Sequence, residues 1–215
     1  MGYNLLQKSG GCINLMRPPL TVIIIFLTRL RTTDYNLFMT EKMIIEAALQ
    51  AGFERAVIVK TEDIPFDFAF RSFCEENVCG QYGANYSCPP DSGTCEELRN
   101  RIINRNSALV VQSVNKIADL SASRIQWAKL RHCDFATKLE NKLKCSGVEG
   151  FTVGACGCTL CDPCAKKLNL PCKFPERRYS CMSAYCINVK ELSEKCGLAY
   201  DCSPDLALFG MYVFD

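Results

Sequence analysis

Past residue 39, apolar positions recur with the helical period in some stretches and form short unbroken runs in others. Ile44, Ile45, Ala48 and Leu49 share one face of a helix over residues 41–51, which Thr40 can cap and Gly52 can stop. Residues 55–60 contain the run Ala-Val-Ile-Val, the mark of a short buried strand. Thr94 and Glu97 form a capping box for a helix through residue 104, with Leu98, Ile102 and Ile103 as its apolar face. A second strand is expected over residues 108–114. Ser123 and Gln126 are placed to cap a long helix to residue 144. Along it Ile125, Ala128, Cys133, Ala136, Leu139 and Leu143 recur at helical spacing, and Gly147 ends it. Residues 151–153 predict a third strand. Asn188 and Glu191 form another capping box, Gly197 closes that helix, and residues 206–214 predict a last strand.

Strands separated by helices place the chain in the α/β or α+β class. The expected architecture is a roughly four-stranded sheet covered by helices, with two cysteine-rich metal-binding loops between the elements. The chain has 215 residues, of which 48% are hydrophobic, enough to bury a real core in one domain over residues 39–215. The first 38 residues read as a non-native or disordered extension. Their only apolar run, residues 20–27, is far short of the roughly 20 residues that span a bilayer, and Thr28-Arg29-Leu30-Arg31 follows it rather than a cleavage site. Met39-Thr40-Glu41 resembles a natural start.

Sixteen cysteines change the picture. A small secreted domain needs disulfides because its core is small, but a chain of this size does not. Paired two-residue spacings favour metal in a reducing cytoplasm, in keeping with an anaerobe. The single histidine, His132, excludes His-rich zinc and iron sites and makes His-dependent nucleophilic catalysis a poor reading. It is expected to be an ordinary surface or partly buried helix residue. Net charge is +2, with +3 on residues 1–38 and −1 on the rest, so nothing indicates nucleic acid.

Cys158-x2-Cys161-x2-Cys164, followed by Cys172-x2-Pro175, is close to the bacterial ferredoxin spacing. Three thiolates two residues apart can wrap one face of a cube of iron and sulfide. The seven-residue gap before Cys172 suggests that all four ligands serve one [4Fe–4S] cluster. Zinc held by four cysteines is the alternative. The second dense group is Cys74-x4-Cys79, then Tyr82-Gly83, then Cys88-Pro89-Pro90. Gly80 and Gly83 allow tight turns around an inorganic core, and Pro89-Pro90 is expected to hold an extended exit. Three cysteines leave the fourth position of a second cluster unassigned. Cys95 is a candidate, Cys181, Cys186 and Cys202 are candidates through tertiary proximity, and an open iron is the remaining choice. Structural thiols or a redox disulfide are the competing reading of this group. Cys156 lies close enough to Cys158 to replace a local ligand. Cys133, Cys145 and Cys196 read as core filler.

With both groups placed, the chain from about residue 39 to residue 214 resembles the family called domain of unknown function 2284, described as predicted metal-binding proteins. The likeness rests on the two cysteine motifs together with Ile187-Asn188-Val189. The family resembles Trp at Tyr86 and Pro-Ser-Met at residues 180–182, which puts Cys181 in doubt as a ligand. The resemblance implies metal, iron–sulfur in particular, and names no reaction. The leading expectation is electron transfer to a redox partner protein, with no nucleic acid and no membrane. An iron–sulfur enzyme reacting at an open three-cysteine cluster, with Tyr82 and Asp91 near it, is one alternative. A zinc-stapled interaction module is the other.

Overall fold

A computed structural model describes residues 39–215. The expectation for residues 1–38, including Cys12, lies outside the described residues. The elements are α1 (Glu41–Ala51), β1 (Arg55–Lys60), α2 (Arg71–Glu75), α3 (Cys95–Ile103), β2 (Ser107–Asn115), α4 (Ala122–Cys145), β3 (Gly150–Val153), α5 (Val189–Lys195) and β4 (Leu206–Phe214). The four strands form one sheet in the order β1-β2-β4-β3, and each neighbouring pair is antiparallel. The class is therefore α+β.

Alternation along the central strands divides the core into two layers. Leu109 and Val111 of β2 and Tyr212 and Phe214 of β4 face α1 and α4, where they meet Ile44, Ala48, Leu139 and Leu143. Ala108, Val110, Phe209, Met211 and Val213 face the opposite way, onto Leu98 and Ile102 of α3, Leu192 of α5, and Met182, Tyr185 and Ile187 of the connecting loop. Both faces of the sheet are covered, so the central strands read as continuous apolar runs.

The expected caps form at three helices, although at α5 only half of the expected box closes, because the Asn188 N–H bonds Pro65 O. Thr40 Oγ1 accepts from the Met43 N–H, Thr94 and Glu97 close a reciprocal box, and the Asn188 side chain accepts from the Glu191 N–H. The long helix differs. It starts after Ser121, whose N–H bonds Asp119 Oδ1, two residues earlier than a cap at Ser123 would allow.

Gly150 opens β3 where no side chain fits. A Cβ there would lie 2.3 Å from the Val213 carbonyl oxygen and 2.8 Å from the Tyr212 ring. The nearest atom belongs to the backbone of the paired strand and cannot swing aside. Gly150→Ala is expected to cost about 1–3 kcal/mol by overpacking, read as a lower urea midpoint.

His132 corrects the expectation made for it. It lies fully buried under the sheet, with Nδ1 2.8 Å from Ser113 Oγ and its ring edge-on to Phe53. Among the described residues its Nε2 has no hydrogen-bond partner, and it stands 2.8 Å from where a Cβ on Gly210 would be. Burial, with a smaller contribution from the Arg131 charge, lowers its pKa from 6.5 to about 3. The unfolded chain takes up a proton below pH 6.5 and the folded one does not. Stability that is complete above pH 6.5 should therefore fall by about 1.4 kcal/mol per pH unit down to pH 3. His132→Gln should flatten that part of the pH profile, and an unchanged slope would contradict a buried neutral imidazole.

Candidate metal centre

Two cysteine-bearing loops meet at the end of β3. The strand runs directly into the first of them. Gly154 pairs with the chain at Cys181, its N–H bonding Ser180 O at 2.9 Å and its carbonyl accepting from the Met182 N–H at 3.0 Å. The second loop begins on α2, which carries Cys74 and has no sequence signal of its own. Left-handed backbone at Asn77, Gly80 and Gly83 then folds the chain back toward Cys88. The segment after Cys88 turns instead of extending. The Pro89–Pro90 bond is cis, and the Ser92 N–H bonds Cys88 O.

The loops are clamped to each other by buried polar groups. Ser87 Oγ accepts from the Cys158 N–H at 2.8 Å, and Asn85 Nδ2 donates to Cys158 O at 3.1 Å. Asn85 Oδ1 in turn accepts from the Ser87 N–H. Gly157 brings the backbones together, since a Cβ there would sit 3.0 Å from Cys88 Sγ. Further out, Lys166 pairs with Asp91, Tyr86 Oη donates to Leu170 O, and Arg178 donates to Tyr86 O. Asp91 thus ties loop to loop. Tyr82 stands at the surface, its N–H on Asn77 Oδ1.

In the first loop Cys158, Cys161, Cys164 and Cys172 are all partly buried. Burial pushes the Cys158 thiol up, and the Cys161 and Cys172 sulfurs add repulsion. The N–H groups of Leu160 and Tyr179 oppose that shift by donating to the Cys158 sulfur. Cys164 lies at the start of the short 3-10 turn Ala165–Leu168, where its carbonyl accepts from the Lys167 N–H.

In the second loop Cys74, Cys79 and Cys88 come within electrostatic reach of one another, and the structure adds Cys181 to them. Burial pushes Cys74 up to about 11 and Cys88 up to about 12, and in both the largest charge effect is that of Cys181. Cys181 is itself raised by burial and by Cys79, while the Ala184 and Ser183 N–H groups donate to its sulfur. Cys95, the nearest candidate in sequence, acts on Cys74 less strongly than Cys181 does. Its sulfur instead faces Arg71 Nε and Cys186 Sγ, each at 3.3 Å. Cys202 is held elsewhere, by Gln112 Nε2 and Ala199 O. Cys156 stands 3.2 Å from Cys133, sulfur to sulfur. Cys181 is the residue that spacing failed to assign. It lies 93 positions after Cys88, and only the pairing of residues 180–182 with Gly154 brings it in.

Among the described residues, no group of three or more His, Cys, Asp or Glu side chains is gathered as a cage for a single metal ion. The donor chemistry nevertheless fits a sulfur-ligated group. The candidate ligands are all thiols, backbone N–H groups favour the thiolate at two of them, and the chain packs tightly at Gly157.

Residues 57–214 match the family described as predicted metal-binding protein (DUF2284). The chain belongs to this family. The matched residues include both cysteine loops, Cys181 and three of the sheet's four strands in full. No curated protein and no solved structure matches the chain.

Proposed function

We propose that this metal-binding protein is an iron–sulfur protein of an anaerobe's cytoplasm that passes electrons to a redox partner protein. One [4Fe–4S] cluster would be held by Cys158, Cys161, Cys164 and Cys172. A second would be held by Cys74, Cys79 and Cys88, with Cys181 as the fourth ligand. The carrying observation is that two all-thiol loops are joined through Ser87 and Asn85 at Cys158. In each site backbone N–H groups oppose the rise that burial imposes on a cysteine pKa, at Cys158 and at Cys181. Such N–H groups offset the negative charge of a cluster and tune its potential.

A bound cluster supplies one-electron transfer. The protein's part is to hold two such groups side by side and leave one accessible. Cys79 is exposed, and Val78 beside it is 88% exposed. Leu168 and Leu170, between Cys164 and Cys172, are also exposed. These apolar side chains at the loop rims support docking of a partner protein there. Among the described residues, no helix is long and apolar enough to cross a membrane.

Cys181 weighs against the reading in which the second cluster keeps an open iron and acts as an enzyme centre, because it would fill the fourth position with a thiol. The test is spectroscopic. Protein purified without oxygen should be brown, and reduction with dithionite should bleach the visible absorption. A colourless protein that carries zinc would contradict the proposal and favour a structural staple.

A further inference from the structure

We propose that Cys95 and Cys186 form a redox-active dithiol that reduces low-molecular-weight disulfides by thiol–disulfide exchange. This does not depend on which metal the two loops bind. The two sulfurs stand 3.3 Å apart although their residues are 91 positions apart in sequence. They have only to close to about 2.05 Å to bond.

Their surroundings divide the work between them. Cys95 is partly exposed and is the first residue of the nine-residue helix α3, after the Thr94 cap. That places it at the positive end of the helix. Arg71 supplies a second, independent positive group. Its Nε–H donates to Cys95 Sγ, and its Nη2 donates to Gly93 O at 3.2 Å, which fixes the guanidinium in place. A partly exposed thiol beside a fixed cation is the setting of a reactive cysteine.

Cys186 lies behind it, wholly buried. Its backbone is left-handed, with φ of 55°, a conformation that costs a non-glycine residue energy and concentrates at functional sites. Two hydrogen bonds hold it, from the Asp67 N–H to Cys186 O and from the Cys186 N–H to Ser183 O. Burial shields Cys186 from the first attack and leaves it aimed at Cys95.

The exchange then balances. The Cys95 thiolate attacks one sulfur of the substrate disulfide. The substrate S–S bond breaks, and one substrate thiolate leaves and takes a proton from solvent. A mixed disulfide remains on Cys95. Cys186 gives up its proton and attacks Cys95 Sγ, which forms the Cys95–Cys186 bond and releases the second substrate thiol. Two protein thiols are oxidised to one disulfide, and one small disulfide is reduced to two thiols.

The full chain, purified without oxygen with its metal in place, would be treated with oxidised glutathione, quenched with an alkylating agent and mapped by peptide mass. The expected product is a Cys95–Cys186 linked peptide. Cys186→Ser should trap glutathione on Cys95, and Cys95→Ser should give neither product. If the buried Cys186 variant fails to fold, the wild-type map and the Cys95→Ser protein still decide the matter. Alkylated Cys95 and Cys186 with no linked peptide would overturn the proposal, as would oxidation confined to Cys133 and Cys156. Metal content of Cys95→Ser should equal that of the wild type. Loss of metal there would make Cys95 a ligand and overturn the dithiol, whereas a wild-type chain without iron would overturn the cluster reading and leave the dithiol standing.

Discussion

Cys161→Ser is expected to remove about four irons and four sulfides per chain and to leave about four of each. Cys161 would be the middle ligand of the proposed first cluster, and its sulfur acts on Cys158. A cubane that loses one of four thiolates exposes an iron to solvent and falls apart. The proposed second cluster draws on other cysteines, so its share should survive. Cys202→Ser is the control, because Cys202 is bonded to Gln112 and Ala199 rather than to either loop. Iron and sulfide analysis of the three proteins decides it. Unchanged iron in Cys161→Ser would remove that loop from the metal-binding machinery.

Cys181→Ala should have the complementary effect, losing the second cluster and keeping the first. The prediction rests on Cys181 being the cysteine that acts most strongly on both Cys74 and Cys88, and on the Ala184 and Ser183 N–H groups, which favour its thiolate. Alanine offers no replacement donor. Iron content should drop by about four per chain, whereas Cys95→Ser should keep it. If the two variants behave the other way round, Cys95 is the fourth ligand and the pairing of residues 180–182 with Gly154 serves the fold alone.

How much of this could be read in advance depended on how local each signal was. The strands over β1, β2 and β4, and the caps at Thr40, Thr94 and Asn188, were legible because each is set within a few residues of itself. The antiparallel order β1-β2-β4-β3 was not, since an apolar run such as that in β2, buried on both faces, does not name its neighbours. The short helix α2 left no pattern in five residues. The burial of His132 does leave a local signal. It lies four residues after Ala128 on the buried stripe of α4, and its polar ring obscured that position.

The metal site divides in the same way. The spacings in both loops singled out Cys158, Cys161, Cys164, Cys172, Cys74, Cys79 and Cys88 as candidates, because tight ligand loops leave a local record. Cys181, the Cys95–Cys186 pair and the clamp through Asn85 and Ser87 depend on segments tens of residues apart meeting at the end of β3. No local spacing could record them.

The most direct measurement is the iron, zinc and acid-labile sulfide content of the full chain purified without oxygen. Two clusters predict about eight iron and about eight sulfide per chain. Zinc without sulfide would contradict the iron–sulfur reading and make the two loops a structural staple.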